Sequence, residues 1–365
     1  MSKNTRVIPF TEIVERVQDL TRSASDDKKR IRGVVNNRYM RSMPREFDWR
    51  YLKSSSSLLT TAEYKSGVVS VNTQNTACVF SGAVITSAMT GRKIKFTNNN
   101  NIYDFTYTTT AGGTISPPLS LATNISMGAY SIYQDEYALM SDFDRFPING
   151  GILYYSGGRP TPLPEKDDDD YYEEATASPT ATPDSCRILP EDSAGQPVVQ
   201  IIPPPSVQLV MPYEYLKTLP PMREFTGGTI AVTGTAVTGD GTVFSQANTG
   251  DYLRQDFMGQ GVDSEWYRIN TITGDTGLTL ATSVASNNAA GSDYVVCSVP
   301  QYPTSLQEAL VYGGVRDILP DQNDPTFIDY NNKYAQVLSD NKTLILNRRS
   351  KQDVELIAQD WDYRR

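Results

Sequence analysis

The chain predicts an α+β fold, with helices at its two ends, an antiparallel β scaffold between them and two related β modules set into that scaffold. Three observations predict it. Apolar residues recur at helical spacing before residue 50 and after residue 303, they alternate singly in the long middle, and one β pattern is written twice. The repetition is first visible in a short phrase, LSLAT at 119–123 and LTLAT at 278–282.

The first 50 residues read as two helices. Thr11 is placed to cap one carrying Ile13, Val14, Val17 and Leu20, and Ser25-Asp26-Asp27 to start a second with Ile31, Val34, Val35, Tyr39 and Met43 on one side. Pro44 and the aromatic cluster from Phe47 through Trp49 to Tyr51 close this part. Each helix has a single apolar stripe and so must pack on another element. With the first scaffold strand, this segment spans 1–63.

The two modules occupy 64–135 and 226–301. SGAVITSAMTG (81–91) lies without a gap on DGTVFSQANTG (240–250), matching Gly82 to Gly241, Ile85 to Phe244 and Gly91 to Gly250. On either side, GVVSV (67–71) matches GTIAV (228–232), Ile102-Tyr103 matches Trp266-Tyr267, and Tyr130-Ser131-Ile132 matches Tyr294-Val295-Val296. The copies do not abut, which excludes a solenoid whose units share a core. They read as homologous barrel- or sandwich-like insertions into one scaffold.

The scaffold proper is 136–225. Its Pro-, Asp- and Thr-rich stretch 160–190 has little apolar surface and reads as a loop or an acidic arm. Residues 195–202 and 203–210 read as two strands of a hairpin joined by a proline turn. Helices return in 302–365. Thr304 with Gln307 forms a capping-box pattern before Leu306, Ala309 and Leu310, and Gly313-Gly314 weakens or ends that helix. Asp324 then caps a longer helix with Pro325 at its first position. The residues expected to pack the terminal helices into a small bundle are Ile13, Val17, Leu20, Ile31, Val35, Trp49, Tyr330, Tyr334 and Leu338.

Composition narrows function. Among 365 residues there is no His, so no imidazole can serve a triad or a typical zinc site, and an enzyme is not expected. Neither a cofactor nor a metal site is expected. Three cysteines, Cys78, Cys186 and Cys297, fit neither a disulfide framework nor a C-x-x-C site and read as reduced, buried thiols. No signal peptide or membrane-spanning run is recognisable, so a soluble protein that folds in the cytosol is expected. The net charge is −9, a poor match to nucleic acid, which needs a basic footprint, and a good match to a surface that DNA should not adhere to. That charge is uneven: residues 1–53 hold 13 Lys/Arg against 7 Asp/Glu, whereas residues 135–192 hold 4 against 14.

Several local patterns carry alternatives. The acidic run Asp167–Asp170 with Glu173 and Glu174 lacks the spacing of a calcium loop and reads as solvated. Among 42 acids no local pattern singles out a glycosidase pair, and Thr238–Thr242 lacks the Lys of a phosphate loop and reads as a hairpin turn. Lys28, Lys29, Arg30, Arg32, Arg38 and Arg41 form a solvated face, a surface for an acidic protein or a set of phosphate contacts. Tyr103, Tyr107, Trp266 and Tyr267 suit either a carbohydrate groove or a core. The last residues either fray or anchor in a partner, since Trp, Tyr and Arg dominate interface hot spots.

Paired N-terminal helices ending near a Trp, a β middle, a closing helix and a terminal tail together resemble the head-to-tail adaptor proteins of tailed phages, of the short-tailed type also called connector or tail tubular proteins. The stretch YSIYQDEYALMSDFDR (130–145) and the Gly195-x-Pro197 start of the scaffold strands are similar to stretches of such virion proteins. The resemblance spans nearly the whole chain, although the two inserted modules exceed a minimal adaptor, which leaves tail-tube, collar, fibre-attachment and adhesin roles open. It implies a homo-oligomeric ring, usually a dodecamer, docked under a portal protein, with viral DNA passing through unread. It further implies downstream tail proteins, and fibres or spikes, as partners and the virion head–tail junction as location. Carried over, the portal interface would include Leu356, Ile357, Trp361, Tyr363, Arg364 and Arg365.

Overall fold

The computed structural model describes residues 7–346, apart from 24–26, 98, 100, 122, 149, 157–158, 167–177, 257–264, 286 and 320–323. Helices and antiparallel sheets are both present, in two units: Leu52–Thr218, and Met1–Tyr51 with Leu219–Arg365.

The unit Leu52–Thr218 opens with β1 (Lys53–Leu59) and continues into a barrel module of β2 (Val68–Val71), β3 (Ala77–Ser81), β4 (Arg92–Phe96), β5 (Ile102–Thr109), β6 (Gly112–Ser116), β7 (Ile125–Gly128) and β8 (Tyr130–Tyr133). Single alternation turns Val69, Val71, Phe80, Ile94, Phe105 and Ile132 inward to one core. The sheet order is β7-β2-β3-β6-β5-β4-β8. Only Ala129 separates β7 from β8, so one run of chain pairs with β2 at one end of the sheet and with β4 at the other.

The scaffold follows as β9 (Glu136–Ala138), β10 (Phe143–Arg145), β11 (Leu153–Ser156), β12 (Arg159–Pro162), β13 (Ser185–Leu189), β14 (Val198–Ile202) and β15 (Val210–Lys217). Two three-stranded sheets, β1-β15-β10 and β13-β14-β9, share a core that includes Leu58, Tyr137, Phe143, Ile201, Met211 and Tyr213. The expected hairpin at 195–210 is not formed. β14 and β15 belong to different sheets, because Pro203-Pro204-Pro205 lack donors and redirect the chain before the second strand begins. The stretch 160–190 also differs from a plain loop: its first residues end β12 and its last form β13, and the acidic run between lies outside the described residues.

The second unit begins with α1 (Phe10–Thr21) and α2 (Lys28–Asn37). The latter continues through a π-helical turn, Arg38–Ser42, into Met43–Glu46. Then come β16 (Glu224–Phe225), β17 (Thr229–Thr233), β18 (Ala236–Asp240), β19 (Tyr252–Asp256), β20 (Tyr267–Gly274), β21 (Gly277–Leu280), β22 (Asn288–Cys297), α3 (Thr304–Ile318) and α4 (Pro325–Leu346). β22 pairs with both β17 and β19, which closes a six-stranded barrel.

Every pairing in this barrel has a counterpart in the first module. Val69–Phe80 corresponds to Ile230–Gly239, Ile94–Tyr103 to Leu253–Tyr267, and Ile94–Ile132 to Leu253–Val296. The Tyr130 hydroxyl donates to Ser66 O at 2.6 Å, as Tyr294 does to Gly227 O at 2.5 Å. Gly67 and Gly228 hold φ of +75° and +81°, and a Cβ on either would meet a backbone carbonyl oxygen at 2.4 Å, so both positions require glycine. The phrase LSLAT/LTLAT is nevertheless not equivalent in three dimensions. Leu119 N bonds Asn75 O where Val284 N bonds Gly234 O, which makes Val284 the counterpart of Leu119. Leu278 lies opposite Val237 where Gly113 lies opposite Cys78. The loops differ in length between the matched strands, so a gapless offset aligned the wrong leucines.

Three helix-end expectations are corrected. α1 starts at Phe10 after Pro9, and Thr11 is buried inside it, its hydroxyl donating to Glu224 Oε2 at 3.1 Å. α3 starts after Pro303 without a side-chain cap; Gln307 is buried, its Oε1 accepting from Ile8 N at 2.7 Å. Gly313-Gly314 does not end α3, which runs on to Ile318; close neighbours occupy the space that side chains there would fill. At α4, Asp324 Oδ1 accepts from Thr326 N at 2.7 Å.

Candidate functional site

The helices of the second unit meet where α3 carries its two glycines. A Cβ on Gly314 would lie 3.1 Å from Val17 Cγ2 of α1 and 3.2 Å from Val35 Cγ2 of α2, so glycine lets both helices approach α3 closely. A Cβ on Gly313 would lie 2.4 Å from Arg38 Cδ. That missing side chain is the passage through which Arg38 crosses α3.

Arg38 is 3% exposed. Its Nε and Nη2 donate to Asp317 Oδ2 and Oδ1, each at 2.7 Å, its Nη1 stands 3.8 Å from Glu46 Oε1, and its guanidinium lies 4.8 Å from the centre of the Tyr334 ring. Arg316 takes the same distance from that ring. The Tyr334 hydroxyl donates to Glu46 Oε1 at 2.5 Å. Burial raises the Glu46 carboxyl above its ordinary value, opposed by the Tyr334 hydrogen bond and by Arg38. A buried guanidinium needs this many partners because an unpaired charge there is costly. The cluster joins α2 and its continuation to α3 and α4. Nearby, Tyr39 packs edge-on against Tyr302 at 5.2 Å, and burial pushes its hydroxyl up to about 12.

A second tie runs from the helices to the barrel side of the unit. Arg32 donates to Glu224 Oε1 at 2.5 Å, and Arg254 forms two bonds to Glu15, of 2.9 and 2.7 Å, with its guanidinium 4.6 Å from the Trp266 ring.

Of the residues expected to pack the helices, Ile13, Val17, Ile31, Val35, Trp49, Tyr334 and Leu338 are buried, and Trp49 Nε1 donates to Met43 O at 2.7 Å. Tyr330 is half-buried and stacks on Tyr312. Leu20 departs from expectation at 38% exposed: it lies in the last turn of α1, past Val17, the residue that packs on Gly314. The terminal residues Leu356, Ile357, Trp361, Tyr363, Arg364 and Arg365 lie outside the described residues.

The basic set on α2 divides. Arg38 and Arg32 are structural, whereas Lys29, Arg30 and Arg41 are exposed. Arg38 could have been recognised from its place on the Ile31–Val35 stripe, but its partner Asp317 carries no local signal. The aromatic groove is not formed either, since Tyr103 and Tyr267 sit inside the two barrels at equivalent positions. The three cysteines are buried, and burial pushes each thiol up to about 12. Among the described residues no three or more Cys, Asp or Glu converge on a point that could hold a metal ion, and no helix is long and apolar enough to cross a membrane. Compared with protein-family models, curated proteins and solved structures, the chain matches none.

Proposed function

We propose that the chain is a structural protein of a phage head–tail junction, an adaptor forming a ring that links the portal to the tail and lines part of the DNA ejection path. The observation that carries this reading is the joining of the two ends of the chain in one helical assembly, with α1 and α2 packed on α3 and locked by Arg38 and Asp317. A helical bundle built from both terminal parts of the chain is the architecture a docking ring needs. In this reading the two barrels are homologous modules set into one scaffold, and their matched pairings and glycines support the homology. They serve as attachment sites for downstream tail proteins, fibres or spikes.

The portal is the partner of the helices and of residues 354–365. Viral DNA slides past a net acidic wall without sequence readout, the location is the virion, and no catalysis or cofactor is involved. Tail-tube, collar and fibre-attachment roles differ from this by predicting dominant barrel-mediated contacts. An adhesin role is disfavoured by the burial of Tyr103 and Tyr267.

The test is native mass of the purified protein, alone and mixed with portal, for the full chain and for one truncated before Val354. A ring or portal complex lost on truncation supports the reading. A monomer indifferent to both overturns it.

A further inference from the structure

The outer edge of β1 is open. Thr60 N donates to Leu209 O at 2.9 Å, and the register runs without a slip from Leu59 opposite Val210 to Lys53 opposite Leu216. Backbone groups of successive residues point to opposite sides of a strand. Thr60, Leu58 and Ser56 therefore turn theirs toward β15, and Leu59, Ser57 and Ser55 turn theirs away. No described residue bonds those outward N–H and C=O groups.

Proteins guard such edges with proline, inward charge, a bulge or a very short strand. β1 has seven residues, no proline, no bulge and one charge, Lys53, at its end. Other edge strands among the described residues are shorter or guarded: β7, β8 and β11 have four residues each and β16 has two. β9 and β10 have three residues each and β10 shifts register; β12 contains Pro160 and Pro162; β13 is bridged by Glu165; the second barrel is closed.

We infer that β1 receives an extended segment of a second protein as an added antiparallel strand. The chemistry of that segment follows from the edge. At one end Leu59 is 58% exposed and Val210, opposite it, 64%; at the other stands Lys53, and serines lie between. A fitting strand carries an apolar residue across from Leu59, a carboxylate across from Lys53, and small or hydroxylated residues between them. A second copy does not fit this role in a cyclic ring, since its one described open strand of comparable length is β1 itself, and β1 against β1 would impose a two-fold axis. This last step rests on the ring reading; the open edge does not.

The test titrates the full-length protein with a capped, fluorescent heptapeptide of Val, alternating Thr and Ser, and a final Asp, beside its Lys-ended counterpart. The Asp peptide is expected to bind the protein better. Ser57→Pro, which removes an N–H that has no partner and so spares the fold, is expected to weaken binding by about tenfold or more. Lys53→Glu, which leaves the backbone intact, is expected to reverse the preference between the peptides. Amide exchange should be fast at Ser55 and Ser57 in the free protein and slow in the complex. Binding of neither peptide, binding unaffected by Ser57→Pro, or protection of those amides in the free protein would overturn the inference. A native mass that falls on Ser57→Pro would do so as well, by assigning the edge to a second copy. A monomer that still binds the peptide would overturn the ring reading alone.

Discussion

Arg38 and Asp317 are joined by two parallel hydrogen bonds of 2.7 Å, across 279 positions of chain. The pair closes the helical assembly at the one place where α3 has no side chain to obstruct it. Removing Asp317 leaves a buried guanidinium with Glu46 as its nearest carboxylate, 3.8 Å away.

Asp317→Ala is therefore expected to destabilise the helical unit by about 3–5 kcal/mol, the cost of stranding one member of a buried pair. Replacing both members, as Arg38→Met with Asp317→Leu, should recover most of that loss. Denaturant unfolding followed by helical circular dichroism checks both, and a small effect of the single substitution would show that the guanidinium finds water instead.

The barrel cores exchange volume between two positions. In the first, Gly113 lies under the Phe105 ring, and a Cβ there would meet it at 2.2 Å; in the second, the corresponding residues are Leu278 and Ile269. Gly113→Leu alone should cost at least the ~1–3 kcal/mol of overpacking, and Phe105→Ile added to it should restore much of the stability. Thermal unfolding of the single and double variants checks the pair. Additive losses would mean that the two sites are not coupled.

Gly67→Ala and Gly228→Ala should each impair folding strongly, because positive φ is combined with a carbonyl oxygen at 2.4 Å from the new Cβ. Gly91→Ala, at φ +83° with open space around it, should cost only the ~1–2 kcal/mol of the left-handed conformation. Comparing soluble yield and unfolding midpoints separates the two classes.

Asp135 accepts from Gln200 Nε2 at 2.8 Å, and its carboxyl is raised above the ordinary 3.8 first by burial and also by Glu136, against the pull of Gln200 and Lys93. A raised folded-state pKa means that the folded form holds its proton longer than the unfolded form. Its contribution to stability is then greatest below the ordinary value and falls as pH rises through the folded one. Asp135→Asn keeps an acceptor for Gln200 and should be more stable than the parent at pH 7, with the advantage shrinking on acidification. A parallel pH dependence in both proteins would count against this.

Cys78, Cys186 and Cys297 should react slowly with a thiol reagent in the native protein and fully once it is unfolded, since each is buried with its thiol pushed up to about 12. Fast reaction of any one in native buffer would mean that its core opens readily.

Much of the architecture was legible from periodicity. The buried stripes Ile13–Val17 and Ile31–Val35, and the inward rows Val69–Val71 and Ile230–Val232, follow from spacing alone, because a helix or strand shows its buried face in its own repeat. The second barrel was detectable because turns that need positive φ keep glycine at matched places, as at Gly67 and Gly228. Where sequence reasoning failed, a distant partner decided. Gly313-Gly314 read as a helix breaker because the value of an absent side chain depends on Val17, Val35 and Arg38 crossing there. Thr304 and Gln307 read as a capping box because nothing local reports that Ile8 N would claim the Gln307 side chain.

Local residue order thus determined the terminal helices, the inward rows of the two matched modules and the existence of a repeat, because an element shows its type and its buried face in its own periodicity. Tertiary structure alone decided that β14 and β15 enter different sheets, that Leu119 corresponds to Val284, that Arg38 meets Asp317, and that β1 keeps an open edge. These depend on loop lengths and on pairings between remote segments, where the free energy of a contact is set by both partners and cannot be read from either one.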